Sequence, residues 1–109
     1  MTEDLFNKIS IWQQKTFPDA TVLGKLFHLK EEVEELLYAV KNNDKDKRLE
    51  YADCFMLLFG AAAKDGMSYQ DIVKAVEYKL EINKLRSWGQ PDDLGIIRHL
   101  IKGGINDKI

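Results

Sequence analysis

The sequence contains a single cysteine, two prolines and no long apolar run. One cysteine, Cys54, cannot close an internal disulfide, so a disulfide-stapled secreted scaffold is excluded and an intracellular, cytoplasmic chain is predicted. The longest apolar stretch, residues 54–63, is far shorter than the roughly twenty residues that a membrane-spanning helix needs. The first ten residues are acidic and amphipathic, which predicts that no signal peptide is present. We therefore expect a soluble protein without a membrane partner.

The charge shows no large excess of either sign: 16 basic and 18 acidic residues give a formal net charge of −2 in a chain of 109 residues. Binding to nucleic acid depends on clustered Lys and Arg side chains that neutralise phosphates, so no nucleic-acid partner is predicted. The length fits one domain, and the apolar fraction of 45% allows one modest hydrophobic core.

Apolar residues recur at steps of three and four along most of the chain, which is the spacing of amphipathic helices. A helix boundary is expected before Pro18, at Gly66, and at Ser68, where Asp71 completes a capping-box pattern. The predicted domain is all-α, with helices over about 3–15, 21–41, 46–64 and 68–88 in a domain of residues 1–89, followed by a loosely ordered tail over 90–109 with a short turn near 96–101.

Two pairs of acidic residues lie on neighbouring predicted helices. Glu32 and Glu35 share a face of the second helix, and Glu50 and Asp53 are spaced by three on the third. A short connection makes the helices antiparallel neighbours, so the pairs can face each other. Converging carboxylates repel one another unless a cation binds, and oxygen ligands suit Mg²⁺ or Mn²⁺. A solvated helix face is the plainer alternative, and spacing alone leaves both open.

The fourth predicted helix carries Lys79, Asn83 and Arg86 on one stripe. Cations and an amide in this arrangement could neutralise and orient the oxygens of a polyphosphate. The alternative is that these side chains simply face solvent.

Two aromatic residues and one histidine are candidates for contact with a nucleobase. Trp12 and Phe17 could stack on a base, or could be ordinary core anchors. His28 lies one helical turn before Glu32 and could contact the base, orient Glu32, or be purely structural.

The acidic motif Glu31-Glu32-x-x-Glu35, followed by Glu50-x-x-Asp53, resembles the signature of the MazG-like all-α nucleotide pyrophosphohydrolases. Lys79-x-x-x-Asn83-x-x-Arg86 is similar to that group's later phosphate-contacting motif. Softer features resemble its dATP/dGTP pyrophosphohydrolase branch: Trp12 with Phe17, His28-Leu29, Arg86-x-Trp88, and Gly95 before Arg98-His99.

The resemblance implies a four-helix MazG-like bundle, assembled as a homodimer or homotetramer. It implies Mg²⁺, with Mn²⁺ as a possible substitute, bound by Glu32, Glu35, Glu50 and Asp53, with Glu31 supporting them or touching a second ion. The implied reaction is hydrolysis of the α–β phosphoanhydride of dATP or dGTP, giving the monophosphate and pyrophosphate.

Other functions stay open at this point. A related enzyme acting on dUTP, dCTP or a broad set of nucleotides would need the same acids, because they fix the phosphate chemistry and not the choice of base. A non-catalytic helical module would instead use the apolar third helix to bind a partner. A di-iron oxidase is disfavoured, because its Glu-x-x-His pairs are absent.

Overall fold

The structure, a computed structural model, describes residues 1–101. Its helices are α1 (Glu3–Thr16), α2 (Val22–Lys41), α3 (Lys47–Lys64) and α4 (Tyr69–Leu85). In this part of the chain β-pairing is limited to one isolated bridge, between Trp88 and His99, so the all-α prediction is confirmed. The chain divides into two compact units, Met1–Ile72 and a second that begins at Val73. The end of the predicted tail, 102–109, lies outside the described residues.

Side-chain caps fix where α1 and α2 begin. The hydroxyl of Thr2 accepts a hydrogen bond from the Leu5 amide at 3.2 Å, and that of Thr21 accepts from Gly24 at 2.9 Å. These bonds satisfy amides that have no partner within the helix. None of the helices in residues 1–101 has both the length and the apolar character to cross a lipid bilayer.

The capping box before α4 forms as the sequence predicts. The Ser68 amide donates to Asp71 Oδ2 at 2.9 Å, and the Asp71 amide donates to Ser68 Oγ at 3.1 Å. Just upstream, Gly66 follows the end of α3, and its φ of 98° lies in the left-handed region that glycine adopts without strain. Both local predictions are confirmed.

In the first unit, α3 packs against both α2 and α1. The start of α1 is tied to the first turn of α4, where the Tyr69 hydroxyl donates to the Met1 carbonyl at 3.0 Å. Phe6 lies between the rings of Phe59 and Tyr69. The buried apolar residues of 1–101 are nevertheless few: Phe6, Ala39 and Ala61.

The core of the first unit also contains a polar pair. Lys25 and Gln13 are both buried, and Lys25 Nζ donates to Gln13 Oε1 at 3.0 Å. The Gln13 amide nitrogen in turn donates to the Met56 carbonyl on α3 at 3.0 Å. This chain of hydrogen bonds links α2, α1 and α3.

The prediction of a loosely ordered tail is wrong for residues 90–101, and α4 ends at Leu85, a few residues earlier than expected. After the helix the chain folds back on itself. The Gly89 amide donates to the Arg98 carbonyl at 2.9 Å, and the Leu100 amide donates to the Ser87 carbonyl at 2.7 Å.

Asp92 holds the turn of this folded tail. Its Oδ1 accepts from the amides of Leu94 and Ile96, each at 2.9 Å, and its Oδ2 accepts from Arg98 Nη1 at 2.7 Å. The backbone hydrogen bond from Ile96, and after it the bond from Arg98, lower the pKa of Asp92 below its ordinary value. The ionised carboxylate is therefore the form that stabilises the tail.

Replacing Asp92 with Asn should loosen the tail in a pH-dependent way. Because the folded-state pKa is lowered, the stabilisation is present above the ordinary Asp pKa and is lost as pH falls through the folded value. We expect Asp92→Asn to increase amide hydrogen exchange at Leu94 and Ile96 near neutral pH, relative to the wild type at the same pH. The difference should vanish in acid.

Asp93→Asn is the matched control, because the Asp93 side chain forms no hydrogen bond within residues 1–101. Equal effects of the two substitutions would contradict the role given to Asp92.

Candidate active site

Three carboxylates converge where α2 packs against α3. Glu32 and Glu35 lie one turn apart on α2, and Glu50 lies in the first turn of α3. One oxygen from each lies within 4.8 Å of the others. Glu32 and Glu50 are half-buried and Glu35 is exposed, so the cluster is open to solvent on one side.

Several neighbours change the pKa of Glu32. Burial raises the pKa of Glu32, and the hydrogen bond and negative charge of Glu35 raise it further, as does the charge of Asp53. His28 opposes this rise, with its Nε2 at 3.3 Å from Glu32 Oε1. The folded protein thus disfavours the ionised form of Glu32 in the absence of a cation.

Glu50 is in a similar position on the opposite helix. Burial raises the pKa of Glu50, followed by repulsion from Glu35, Asp53 and Asp44. Glu50 is therefore repelled both by Glu35 on α2 and by Asp53 on its own helix, α3.

The cluster has the properties of a cation site. The Oε2 atoms of Glu32 and Glu50 are buried, and neither forms a hydrogen bond within the described residues. Buried oxygens of this kind normally have a partner, and a divalent cation would supply one. The donors are all carboxylate oxygens, which suits hard ions such as Mg²⁺ and Mn²⁺.

Two of the acids singled out in the sequence lie outside this group of three. Asp53 is exposed, yet close enough for its charge to raise the pKa values of both Glu32 and Glu50. Glu31 is also exposed, next to Glu32 on α2. Their roles stay predictions.

Cys54 follows Asp53 and is half-buried. Burial raises the pKa of the Cys54 thiol, and the negative charges of the acidic cluster raise it further. A neutral thiol is a poor nucleophile, which agrees with the interpretation of Cys54 as a small packing residue.

A pocket of about 220 Å³ opens beside the acidic cluster. His28 lines it and also contacts Glu32, so the pocket and the carboxylates adjoin. Its walls come from α1, the α1–α2 connection, α2 and α3. The lining residues are Gln13, Phe17, Ala20, Thr21, Gly24, Lys25, His28 and Leu57.

The predicted base-contacting residues differ in where they lie. Phe17 and His28 line the pocket, whereas Trp12 is not among its lining residues. Trp12 packs edge-on against Phe17, with ring centroids 5.5 Å apart, and 56% of its surface is exposed. The alternative of a buried core anchor is therefore wrong for Trp12.

Among the pocket residues that sequence reasoning missed, Gln13 and Lys25 are buried and polar. A signal was present, because both occupy positions on otherwise apolar stripes: Gln13 follows Phe6 and Ile9 on α1, and Lys25 precedes Leu29 by four on α2. A polar residue at a core-facing position requires a partner, and the partner in each case is the other member of the pair.

The predicted phosphate-contacting residues belong to the second unit. Lys79 and Asn83 are half-buried and one turn apart on α4, and Arg86 follows the helix end. Arg86 Nη1 donates to the Asn83 side-chain oxygen at 3.1 Å, and Trp88 Nε1 donates to the Asn83 carbonyl at 3.0 Å. The structure thus brings Asn83 and Arg86 together, while their contact with phosphate stays a prediction.

Comparison with known proteins identifies the family. The family model described as dATP/dGTP pyrophosphohydrolase matches residues 5–107. The chain belongs to this family. The dATP/dGTP pyrophosphohydrolase family is the branch that the sequence motifs resemble, so that prediction is confirmed, and the chain is a member of a hydrolase family.

Two phage proteins illustrate the relationship. The chain is 36% identical over 106 residues to a dATP/dGTP diphosphohydrolase of Salmonella phage PMBT28, covering 97% of this chain and 34% of the relative. It is 33% identical over 97 residues to a dATP/dGTP diphosphohydrolase of cyanophage S-2L, covering 89% of this chain and 86% of that one. The chain therefore spans about a third of the first relative and most of the second.

A solved structure shares the fold. It is the cyanophage S-2L MazG-like pyrophosphohydrolase bound to dGDP and three catalytic Mn²⁺ ions per active site. The TM-score is 0.76 at 33% identity, and the match covers 93% of this chain and 99% of that one. The four described helices thus have the MazG-like fold.

Removing one charge from the cluster should change the response to cations. Because Glu50 is repelled by its neighbours, we expect Glu50→Gln to raise the melting temperature of the metal-free protein. Wild type should gain stability on addition of Mn²⁺, by about 2.7 kcal/mol when free ion exceeds Kd about a hundred-fold. Glu50→Gln should lose most of this gain, as measured by thermal unfolding with and without Mn²⁺.

Glu34→Gln is the control, since Glu34 is exposed on α2 and lies outside the cluster. An unchanged Mn²⁺ response in Glu50→Gln would argue against a cation site at these residues.

Proposed function

We propose that this protein hydrolyses the purine deoxynucleoside triphosphates dATP and dGTP to the monophosphate and pyrophosphate. Glu32, Glu35, Glu50 and Asp53 hold Mg²⁺, or Mn²⁺ in its place, against the substrate's phosphates. The single observation that carries this proposal is the convergence of three carboxylates within 4.8 Å beside a pocket, in a chain that belongs to the dATP/dGTP pyrophosphohydrolase family.

The acidic cluster and the pocket suit different parts of one nucleotide. The carboxylates hold the cation that meets the triphosphate, and the pocket next to His28 takes the base. Phe17 offers a ring face to the base, and Trp12 supports the Phe17 ring from outside the pocket. The dGDP and Mn²⁺ bound by the cyanophage S-2L structure are ligands of this kind.

The reaction adds the oxygen of water to the α-phosphorus, breaks the bond from that phosphorus to the α–β bridging oxygen, and releases pyrophosphate. When bound, the cation would neutralise phosphate charge and promote ionisation of the attacking water. Glu31 and Glu35 are exposed carboxylates on the open side of α2, where either can orient this water or accept its proton. Lys79, Asn83 and Arg86 contact the phosphate oxygens.

The test is to incubate the protein with each deoxynucleoside triphosphate and Mg²⁺ in ¹⁸O-labelled water. We expect dATP and dGTP to be the best substrates, with label in the monophosphate and none in pyrophosphate. Glu50→Gln should lower kcat about a hundred-fold or more, because lost cation binding removes on the order of 3 kcal/mol of charge stabilisation.

Glu34→Gln serves as the matched control and should turn over normally. A pyrimidine preference would keep the chemistry and overturn the base assignment. No turnover of any nucleotide with Mg²⁺ or Mn²⁺ would overturn the proposal in favour of a non-catalytic module.

We further propose that the protein forms a homodimer or homotetramer. Three buried apolar residues are a small core for the described chain, and α3 leaves Phe55 55% exposed although it packs against two helices. An apolar groove of about 590 Å³ runs along this surface, lined by Met1, Leu5, Ile9, Ala52, Phe55, Met56 and Phe59. Exposed apolar surface of this extent is typical of an interface between subunits.

Introducing charge into this groove should weaken assembly. We expect wild type to sediment as a dimer or tetramer and Phe55→Glu to shift towards monomer, by analytical ultracentrifugation at matched concentrations. Leu94→Glu is the control, because Leu94 is 85% exposed and lies outside the groove. A monomeric wild type would contradict the proposal.

A further inference from the structure

The ammonium of Lys25 is buried without a compensating charge. Only 8% of the residue is exposed, and within residues 1–101 Lys25 forms no ion pair with a carboxylate. Burial, and then the like charge of Lys64, lowers the pKa of Lys25. Burying a cation raises the free energy of the folded state unless a counter-charge pairs with it. The burial of Lys25 therefore suggests a functional role for its ammonium.

Gln13 fixes the position of this ammonium. Its amide nitrogen donates to the Met56 carbonyl at 3.0 Å, which turns the amide oxygen towards Lys25 Nζ, also at 3.0 Å. The Gln13 amide lies so close to Gly60 that a Cβ at that position would collide with it. The absence of a side chain at Gly60 therefore leaves room for the Gln13 amide, whose oxygen accepts from Lys25 Nζ.

Lys25 and Gln13 both line the pocket that also contains Phe17 and His28. Along α2, Lys25 precedes Glu32 by seven residues, which is roughly 10 Å of helix. This separation matches the reach of a nucleotide from its phosphates to the far edge of its base. Along α2, Lys25 lies further from Glu32 than does His28, the pocket-lining residue that contacts the acidic cluster.

We propose that Lys25, positioned by Gln13, donates hydrogen bonds to the O6 and N7 atoms of a 6-oxopurine and so favours dGTP over dATP. This inference rests on the proposed function, because it concerns base choice at the same site.

The donor count supports this choice of base. An ammonium has three N–H donors, and Lys25 gives one to Gln13 within the described residues. Guanine presents two acceptors, O6 and N7, on one edge, whereas adenine presents N7 beside an amino group that is itself a donor. A buried ammonium facing that amino group would have an unsatisfied donor, which is the situation that allows a polar site to reject an analogue. Bound guanine also supplies acceptors for the Lys25 donors that Gln13 does not engage.

The test compares kcat/KM for dGTP, dITP and dATP, since dITP keeps O6 and N7 but lacks the 2-amino group of guanine. In wild type we expect dGTP and dITP to behave alike and both to exceed dATP. Lys25→Met keeps the length of the side chain and removes its donors. It should lower kcat/KM for dGTP and dITP roughly tenfold and leave kcat/KM for dATP within about twofold. The ratio of kcat/KM for dGTP to that for dATP therefore falls.

Lys64→Met is the matched control, because Lys64 is an exposed lysine next to Lys25 that lies outside this pocket. It should leave the dGTP-to-dATP ratio unchanged. An equal loss of all three substrates in folded Lys25→Met would overturn the inference, as would dITP behaving like dATP in wild type.

Binding of products separates this inference from the proposed function. The shift in melting temperature caused by dGMP, compared with that caused by dAMP, measures base choice without turnover. We expect dGMP to shift wild type more than dAMP, and Lys25→Met to remove the difference. If Lys25→Met does not fold, 7-deaza-dGTP, which lacks the N7 acceptor, tests the same contact in wild type. Wild-type hydrolysis of 7-deaza-dGTP as efficient as that of dGTP would then overturn the inference.

Discussion

The site depends on one constraint, the electrostatic repulsion among carboxylates that the packing of α2 against α3 brings together. Packing of the two helices places Glu50 against Glu32 and Glu35, with two carboxylate oxygens buried and without hydrogen-bond partners in the described chain. Folding alone gains nothing from this arrangement, since burial and like charge both disfavour the ionised forms. A divalent cation bound between the carboxylates would offset this cost, which is why the cluster is a candidate cation site.

Polar residues on core-facing stripes define the remainder of the site. On α2, Lys25 and Glu32 occupy the same apolar stripe seven residues apart, with opposite charges. Gln13 plays the corresponding part on α1, where it contacts Lys25 and the backbone of α3. The pocket lies between these polar positions. Polar side chains therefore occupy surface that would otherwise be apolar core, and little apolar area is buried in the described part of this chain.

The sequence alone was sufficient for the helices, most of their boundaries and the family. The helices and their boundaries depend on local physics: apolar spacing, the reciprocal bonds of Ser68 and Asp71, and the left-handed residue Gly66. The family, by contrast, was recognised from the resemblance of its motifs. The pairing of Glu32 and Glu35 with Glu50 was also predictable, because a short turn between two amphipathic helices leaves them antiparallel.

Tertiary structure decided what spacing could not. Trp12 has the periodicity of a core residue but packs on the outside of Phe17. The tail has no helical or strand pattern, and one side chain, Asp92, folds it by binding the amides that follow. Gln13 lies on α1 and Lys25 on α2, so no pattern within one helix relates them. They meet only when α1, α2 and α3 pack together. Sequence periodicity identifies which face of a helix points inward, whereas the partners found there depend on three helices at once.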